Sequence, residues 1–285
     1  MKGIVLAGGS GTRLHPLTLN VSKQTLPVYD KPMIYYPIST LMLADIRDIL
    51  IISTPDHLGL FSDLLGDGTQ FGVNFEYKVQ DNPGGIAEAF LVAGNYIENK
   101  KTCLILGDNI FYGQGFSDKL KSAKNNNGAT VFAYDVNDPE RFGVVDFDEN
   151  LNAMSIEEKP SNPKSNYAVT GLYFYDENVL NYAKSLSPSE RGELEITDLN
   201  KIYLEKKQLK VELLHKDFTW LDSGTHESLL ESSNFVAVTQ NSKKEYVACL
   251  EEIAFKKNWI TSEEVNKSAL RYQKNSYGKY LASLI

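Results

Sequence analysis

Apolar residues in the first half of the chain fall into two alternating patterns. Short runs at Ile4–Leu6, Ile49–Ser53, Phe75–Val79, Cys103–Leu106 and Thr130–Tyr134 have the length and composition of strands. Between them, Met33–Ala44, Ile86–Ile97 and Phe116–Lys124 carry helical spacing. In the second of these, Ile86, Phe90, Ala93 and Ile97 recur at three- and four-residue steps and mark one buried face. The alternation predicts an α/β fold, a mostly parallel sheet with helices on both sides. Ligands of such sheets sit outside the carboxyl ends of the strands. A glycine-rich loop after Leu6 and the turn Gly107-Asp108-Asn109 both fall there.

From Gly143 to Tyr175 the pattern becomes β-rich, with Val144–Phe147, Met154–Glu157 and Val169–Tyr175 punctuated by Asn, Asp, Gly and Pro. This predicts an inserted antiparallel layer forming the second wall of a cleft. After Val211–Leu214 and Phe218–Leu221 the chain reads as helical to its end. Leu270, Tyr277, Leu281 and Leu284 are expected on one stripe of the last helix, serving core or subunit contact. No repeat, low-complexity tract or linker divides the chain, so residues 1–285 read as one domain.

Composition narrows the function. The chain is 42% hydrophobic and 23% charged, ordinary for a globular protein. No run of about 20 apolar residues suggests a membrane span. The first residues enter a strand without the basic, apolar and cleavage regions of a secretory signal, so a cytoplasmic location is expected. Two cysteines, Cys103 and Cys249, and four histidines exclude a disulfide framework or a zinc site. A net charge of −8 argues against non-specific nucleic-acid binding. Attraction for a phosphate must come from placed cations and a metal.

The loop Gly8, Gly9, Gly11 after the first strand can turn its backbone N–H groups on an anion, and Arg13 adds a permanent cation suited to phosphate. Leu14 stands where a dinucleotide fingerprint needs its third glycine, and no Gly-Lys-Ser/Thr triplet follows. Lys23, taken alone, is a surface charge. Asp108 follows an apolar run and suits a hard metal, or caps the next turn. Asp222, in Trp220-Leu221-Asp222-Ser223-Gly224, either repeats that design or caps a helix starting near Thr225. The sequence alone leaves open whether the two aspartates meet. Glu157-Glu158-Lys159 on its own is a solvated charge run.

Eight segments together are more specific than any of these. They are Leu6–Leu14, Ser22–Pro27, Lys31–Ala44, Gly107–Gly115, Glu157–Pro160, Val169–Tyr175, Arg191–Asn200 and Trp220–His226. Through them the chain resembles, nearly end to end, the glucose-1-phosphate thymidylyltransferases of the sugar-nucleotidyltransferase superfamily. His15 stands where that family usually has an aromatic residue, and Thr25 where it usually has an aliphatic one.

The resemblance implies a Rossmann-like, mostly parallel but mixed sheet with a β-rich sugar-binding insertion and a helical C-terminal segment. It divides the chain into a nucleotide-binding part (about 1–135), a sugar-binding part (about 136–223) and a helical assembly part (about 224–285). The implied reaction is attack by a glucose-1-phosphate oxygen on the α-phosphorus of dTTP, giving dTDP-glucose for deoxysugar and polysaccharide synthesis. Gly8, Gly9, Gly11, Thr12 and Arg13 would hold the triphosphate, with Arg13 and Lys23 facing the transferred group. Asp108 and Asp222 would bind Mg²⁺, while Gln24, Gln80 and Gly85 would serve the nucleotide, the last two at the thymine edge. Gly143, Glu158, Lys159, Val169 and Arg191 would take the sugar phosphate. A homotetramer with a nucleotide-sugar feedback inhibitor is also implied. A uridylyltransferase and a catalytically silent nucleotide-sugar sensor stay open as alternatives. The sensor would be expected to have lost one of Arg13, Lys23, Asp108 or Asp222, and all four are present.

Overall fold

Each predicted apolar run is a strand in the computed structural model, which describes residues Met1–Ile285. The strands are β1 (Lys2–Leu6), β2 (Pro27–Val28), β3 (Lys31–Pro32), β4 (Asp48–Ser53), β5 (Asn74–Val79), β6 (Thr102–Leu106), β7 (Asn109–Tyr112), β8 (Ala129–Asp135), β9 (Gly143–Phe147), β10 (Ala153–Glu158), β11 (Tyr167–Tyr175), β12 (Leu209–Leu214) and β13 (Thr219–Asp222). The helices are α1 (Tyr35–Leu43), α2 (Pro55–Leu65), α3 (Glu88–Ala93), α4 (Phe116–Asn125), α5 (Val179–Lys184), α6 (Ile196–Glu205), α7 (His226–Lys243), α8 (Leu250–Lys256), α9 (Ser262–Arg271) and α10 (Ser276–Ala282).

β6, β1, β4 and β5 lie side by side and parallel, so their carboxyl ends share one edge of the sheet. β11 then runs antiparallel to β6 through Leu172–Tyr175, meets β9 at Ala168, and pairs along its other edge with β8. The expected antiparallel layer is therefore present, but it extends the same nine-stranded sheet instead of forming a separate one. β7 and β13 form a small antiparallel ribbon of their own.

Alternation along each strand sorts the core into two faces. Val5, Ile51 and Ile105 pack on one face against α1, α2, α4 and α8–α10, while Ile4, Leu50 and Leu104 face α3, α5 and α6. Each of these six side chains is fully buried, worth roughly 1.5–3 kcal/mol apiece relative to exposure.

Two helical expectations change. The segment Ile86–Ile97 gives only the short α3, because the chain leaves helical geometry at Gly94 (φ 52°) and continues as a tight turn. Its apolar face is nonetheless real: Phe90, Ala93 and Ile97 are fully buried. The last helix is two, α9 and α10, and the break between them turns Leu270 outward while Leu281 is buried. Helices α2, α5 and α6 were not singled out by the sequence pattern. α6 carries the buried positions Ile196, Leu199 and Tyr203 at steps of three and four.

Candidate active site

The residues just past β1, β5 and β6 are Ala7–Gly9, Gln80 and Gly107–Asp108, and they form one rim. Into this rim the segment Ser22–Leu26 inserts Gln24, which is buried, accepts from the Ser22 hydroxyl at 2.6 Å and donates to the Gly8 carbonyl at 3.4 Å. The same short turn aims Lys23 at Asp108, where the two make a direct ion pair. Lys23 is thus largely enclosed, with a side chain 14% exposed, and not the solvated charge its sequence context suggests.

Asp222 reaches the same point from β13, which sets it opposite Asn109 of β7, while the Ser223 N–H donates to the Asp108 carbonyl at 3.1 Å. The two aspartates therefore meet. Burial opposes ionisation of Asp108 most strongly, but the Lys23 ammonium and the hydrogen bonds from Lys23 and Asn109 together outweigh it and hold the carboxyl below its ordinary value. Burial and then the Asp108 charge push Asp222 the other way, up to about 6, against the pull of Lys23 and Arg13. A buried carboxylate pair in which one member resists ionisation suits a hard divalent cation, whose own charge would ionise both. Asp222 is not the cap of the following helix: Thr225 is, accepting from the Ser228 N–H at 3.2 Å.

Asn109, which sequence reasoning passed over, fixes this arrangement. Its Nδ2 donates to Asp108 at 3.0 Å, and its Oδ1 accepts from Trp220 at 2.6 Å and from the Gly171 N–H at 3.1 Å. Gly171 is where β11 passes the Gly107-Asp108-Asn109 turn, and a Cβ there would lie 2.7 Å from Asn109 Oδ1. These partners lie 62 and 111 residues from Asn109, so no local pattern signals them.

Two cavities meet at Asp108. One, about 210 Å³, is lined by Gly8, Gly9, Lys23, Gln24, Gln80, Gly85 and Asp108. The other, about 320 Å³, is lined by Arg13, Asp108, Gly143, Glu158, Lys159, Val169, Arg191 and Asp222, together with Trp220 and Thr197. Gly11 and Thr12 line neither. The Gly11 carbonyl accepts from the Thr18 hydroxyl at 2.8 Å, so these two shape the turn that delivers Arg13 instead of lining the cleft.

In the second cavity, Glu158 accepts from Thr197 Oγ1 at 2.6 Å, and Lys159, half-exposed, lies 3.8 Å from Glu158. Arg191 stands at the rim, donating to both Glu195 oxygens at 2.9 Å and lying 3.5 Å from Glu193. Main-chain bonds from Leu194 to Gly84 (2.7 Å) and from Ala87 to Leu194 (3.1 Å) tie this loop to the Gly85 turn of the first cavity. Gly85 is needed there: its φ is +98°, and a Cβ would fall 2.4 Å from the Leu194 carbonyl.

Residues 2–239 match the nucleotidyl transferase family model. The chain is 58% identical over 286 residues to the glucose-1-phosphate thymidylyltransferase of Neisseria gonorrhoeae, covering 100% of this chain and 99% of that one. It is 51% identical over 285 residues to the protein of the same name from Mycolicibacterium smegmatis, with the same coverage. A Bacillus anthracis crystal structure provisionally given that name, in complex with sucrose, superposes with a TM-score of 0.76 at 45% identity, over 82% of this chain and 94% of that chain. UDP-glucose pyrophosphorylase complexed with UDP-glucose shares the fold, with a TM-score of 0.74 at 22% identity, over 86% of this chain and 99% of that chain.

Proposed function

The chain belongs to the nucleotidyl transferase family, among the glucose-1-phosphate thymidylyltransferases, and from that premise we propose that it joins dTTP to glucose-1-phosphate at Asp108. The observation that carries this reading is the meeting of the two cavities at the Lys23–Asp108 pair, with Arg13 and Asp222 alongside. The first cavity has the glycine loop and the buried amides of Gln24 and Gln80 for a nucleotide. The second has Glu158 for sugar hydroxyls and Lys159 for the sugar phosphate, with the backbone at Gly143 and Val169 as its wall. Arg191 exchanges part of its Glu195 pairing for substrate.

A glucose-1-phosphate oxygen attacks the α-phosphorus, the new P–O bond forms, and the bond to the bridging oxygen of pyrophosphate breaks. Both reactants are anions, and the sugar phosphate is already ionised near neutral pH, so no general base is needed. What the protein supplies is position and charge. Arg13 and Lys23 balance charge on the transferred group. Asp108 and Asp222 would hold Mg²⁺, whose charge would offset the repulsion between the two anions. Asn109 keeps Asp108 aimed.

The same reading places nucleotide binding in residues 1–135, sugar binding in 136–223 and assembly in 224–285, in a cytoplasmic homotetramer under nucleotide-sugar feedback. An uncovered stripe on α7, with Leu230 62% and Val238 67% exposed, supports a subunit contact. A separate cavity of about 380 Å³ lined by Tyr112, Tyr246 and Lys256 supports an effector site. No helix is long and apolar enough to cross a membrane.

The test is pyrophosphate release with Mg²⁺, crossing dTTP, UTP, CTP, ATP and GTP against glucose-, galactose- and N-acetylglucosamine-1-phosphate. Preference for dTTP with glucose-1-phosphate is expected, with partial use of UTP, whose base lacks one methyl, a difference that discriminates by at most about 10- to 200-fold, and whose sugar adds a 2′-hydroxyl. A UTP preference overturns the base assignment. Tight nucleotide-sugar binding without turnover overturns the enzyme.

A further inference from the structure

Gln80 follows β5 and is 6% exposed, so its amide has few places to turn. Its Nε2 donates to Glu88 Oε2 at 2.5 Å and lies 3.5 Å from the Gly85 carbonyl. A carboxylate and a backbone carbonyl accept and do not donate, so only the NH₂ end of the amide fits against them. Reversing the amide would set its oxygen against two other oxygens. The carbonyl end therefore faces the opposite way, toward the glycine loop, where a Cβ on Gly8 would lie 3.2 Å from Gln80 Oε1.

Glu88 is itself held. It opens α3, and the Gly84 N–H donates to the same Oε2 at 3.1 Å. Neither cleft cavity is lined by Glu88. Its carboxylate touches the amide and the loop backbone.

We propose that Glu88 is a positioning residue that sets base selectivity, by locking the Gln80 amide so that the nucleotide cavity presents a fixed acceptor. The inference rests on the nucleotide reading of that cavity. A fixed acceptor requires an N–H on the base. Thymine and uracil both carry an imide N3–H and satisfy it. Cytosine has a lone pair at N3, so two acceptors face each other and a buried carbonyl loses its partner. Left free, the amide could rotate and offer its NH₂ to cytosine. Glu88 thus separates imide pyrimidines from cytosine and makes no distinction between thymine and uracil.

The experiment is equilibrium binding of dTTP, dUTP and dCTP to the full-length protein and to Glu88 variants, with turnover against glucose-1-phosphate measured on the same samples. The wild type is expected to bind dTTP and dUTP about 10- to 100-fold more tightly than dCTP. Glu88→Met keeps the reach and the helix preference of the side chain but removes the strong acceptor. It should bring the dTTP:dCTP ratio to within about threefold of unity, with the dTTP:dUTP ratio unchanged. Glu88→Ala should do the same, and gives a second route if the thioether packs badly. Glu88→Gln should retain the preference, because its oxygen takes the place facing the Gly84 N–H and the Gln80 NH₂.

Several results overturn the proposal: equal wild-type affinity for dCTP and dTTP, an undiminished preference in Glu88→Met and Glu88→Ala, an equal loss for all three nucleotides, or a collapsed preference in Glu88→Gln. Selective binding without turnover leaves the Glu88 inference standing and removes the thymidylyl-transfer reading instead.

Discussion

Lys23 and Lys159 are both single ammonium groups facing one cleft, yet they are held in opposite ways. Lys23 is 14% exposed and pinned to a carboxylate of similar burial, whereas Lys159 is 51% exposed and 3.8 Å from a carboxylate that is itself 29% exposed. The contrast extends to their neighbours. Around Lys23 and Asp108 the amides of Gln24, Gln80 and Asn109 are buried and bonded, while in the second cavity Arg191 is half-exposed, pairing with Glu193 and with the more enclosed Glu195. Charge that must meet a transition state is fixed before substrate arrives and costs little reorganisation. Charge that only captures a dianion can stay mobile, at the cost of being screened by salt.

The largest expected effect tests the rigid half. Asp108→Asn should lower kcat by about 10²- to 10³-fold, comparable to losing one preorganised transition-state contact, with the far-UV circular dichroism unchanged. Near-normal turnover would remove Asp108 from the metal site. Arg13→Ala should lower kcat by about tenfold or more, with KM for glucose-1-phosphate within about threefold of wild type. A rise in KM alone would move Arg13 to ground-state binding.

The exposed half is probed by Lys159→Ala, which should raise KM for glucose-1-phosphate about five- to tenfold at low ionic strength and much less near 0.5 M salt. A salt-independent effect would mean that Lys159 becomes enclosed on binding and that the contrast with Lys23 disappears. The smallest effect concerns stability. The Asp222 carboxyl stands at about 6 against an ordinary 3.8, so the folded protein binds that proton more tightly than the unfolded chain. In that window the folded state carries more protons, so metal-free stability should fall as pH rises from about 4 to 6 and stay low above it. Asp222→Asn should therefore be more stable than wild type at pH 8, by roughly 1–3 kcal/mol in urea melts with chelator, and equal to it near pH 3.5. A constant difference across pH would show that Asp222 is not strained by its neighbours.

What could be read from the chain follows from how local each signal is. The parallel strands were visible because β1, β4 and β6 are buried on both faces and so appear as unbroken apolar runs. The glycine loop and the acidic turns after apolar runs were visible for the same reason. The length of α3 was not, since Phe90, Ala93 and Ile97 keep helical spacing through a turn that is no longer α-helical. Whether Asp108 and Asp222 meet depends on the β7–β13 ribbon, which joins residues more than a hundred positions apart and has no local signature. Asn109 and Glu88 were missed because each acts through another side chain. Their roles rest on bonds to Asp108 and Gln80, not on any motif of their own.

Gly171 sets a limit on how this cleft could be redesigned. Residues around it, such as Val169 and Tyr173, face the second cavity and, on the proposed reading, are natural targets for a library meant to accept a different hexose phosphate. At position 171 itself even a methyl would collide with Asn109, and through it displace Asp108. A change intended to alter taste for the sugar would instead disable the phosphate chemistry, and a screen would discard it without revealing what the sugar pocket can tolerate. Libraries that hold 171 as glycine while varying 169 and 173 keep the two questions apart.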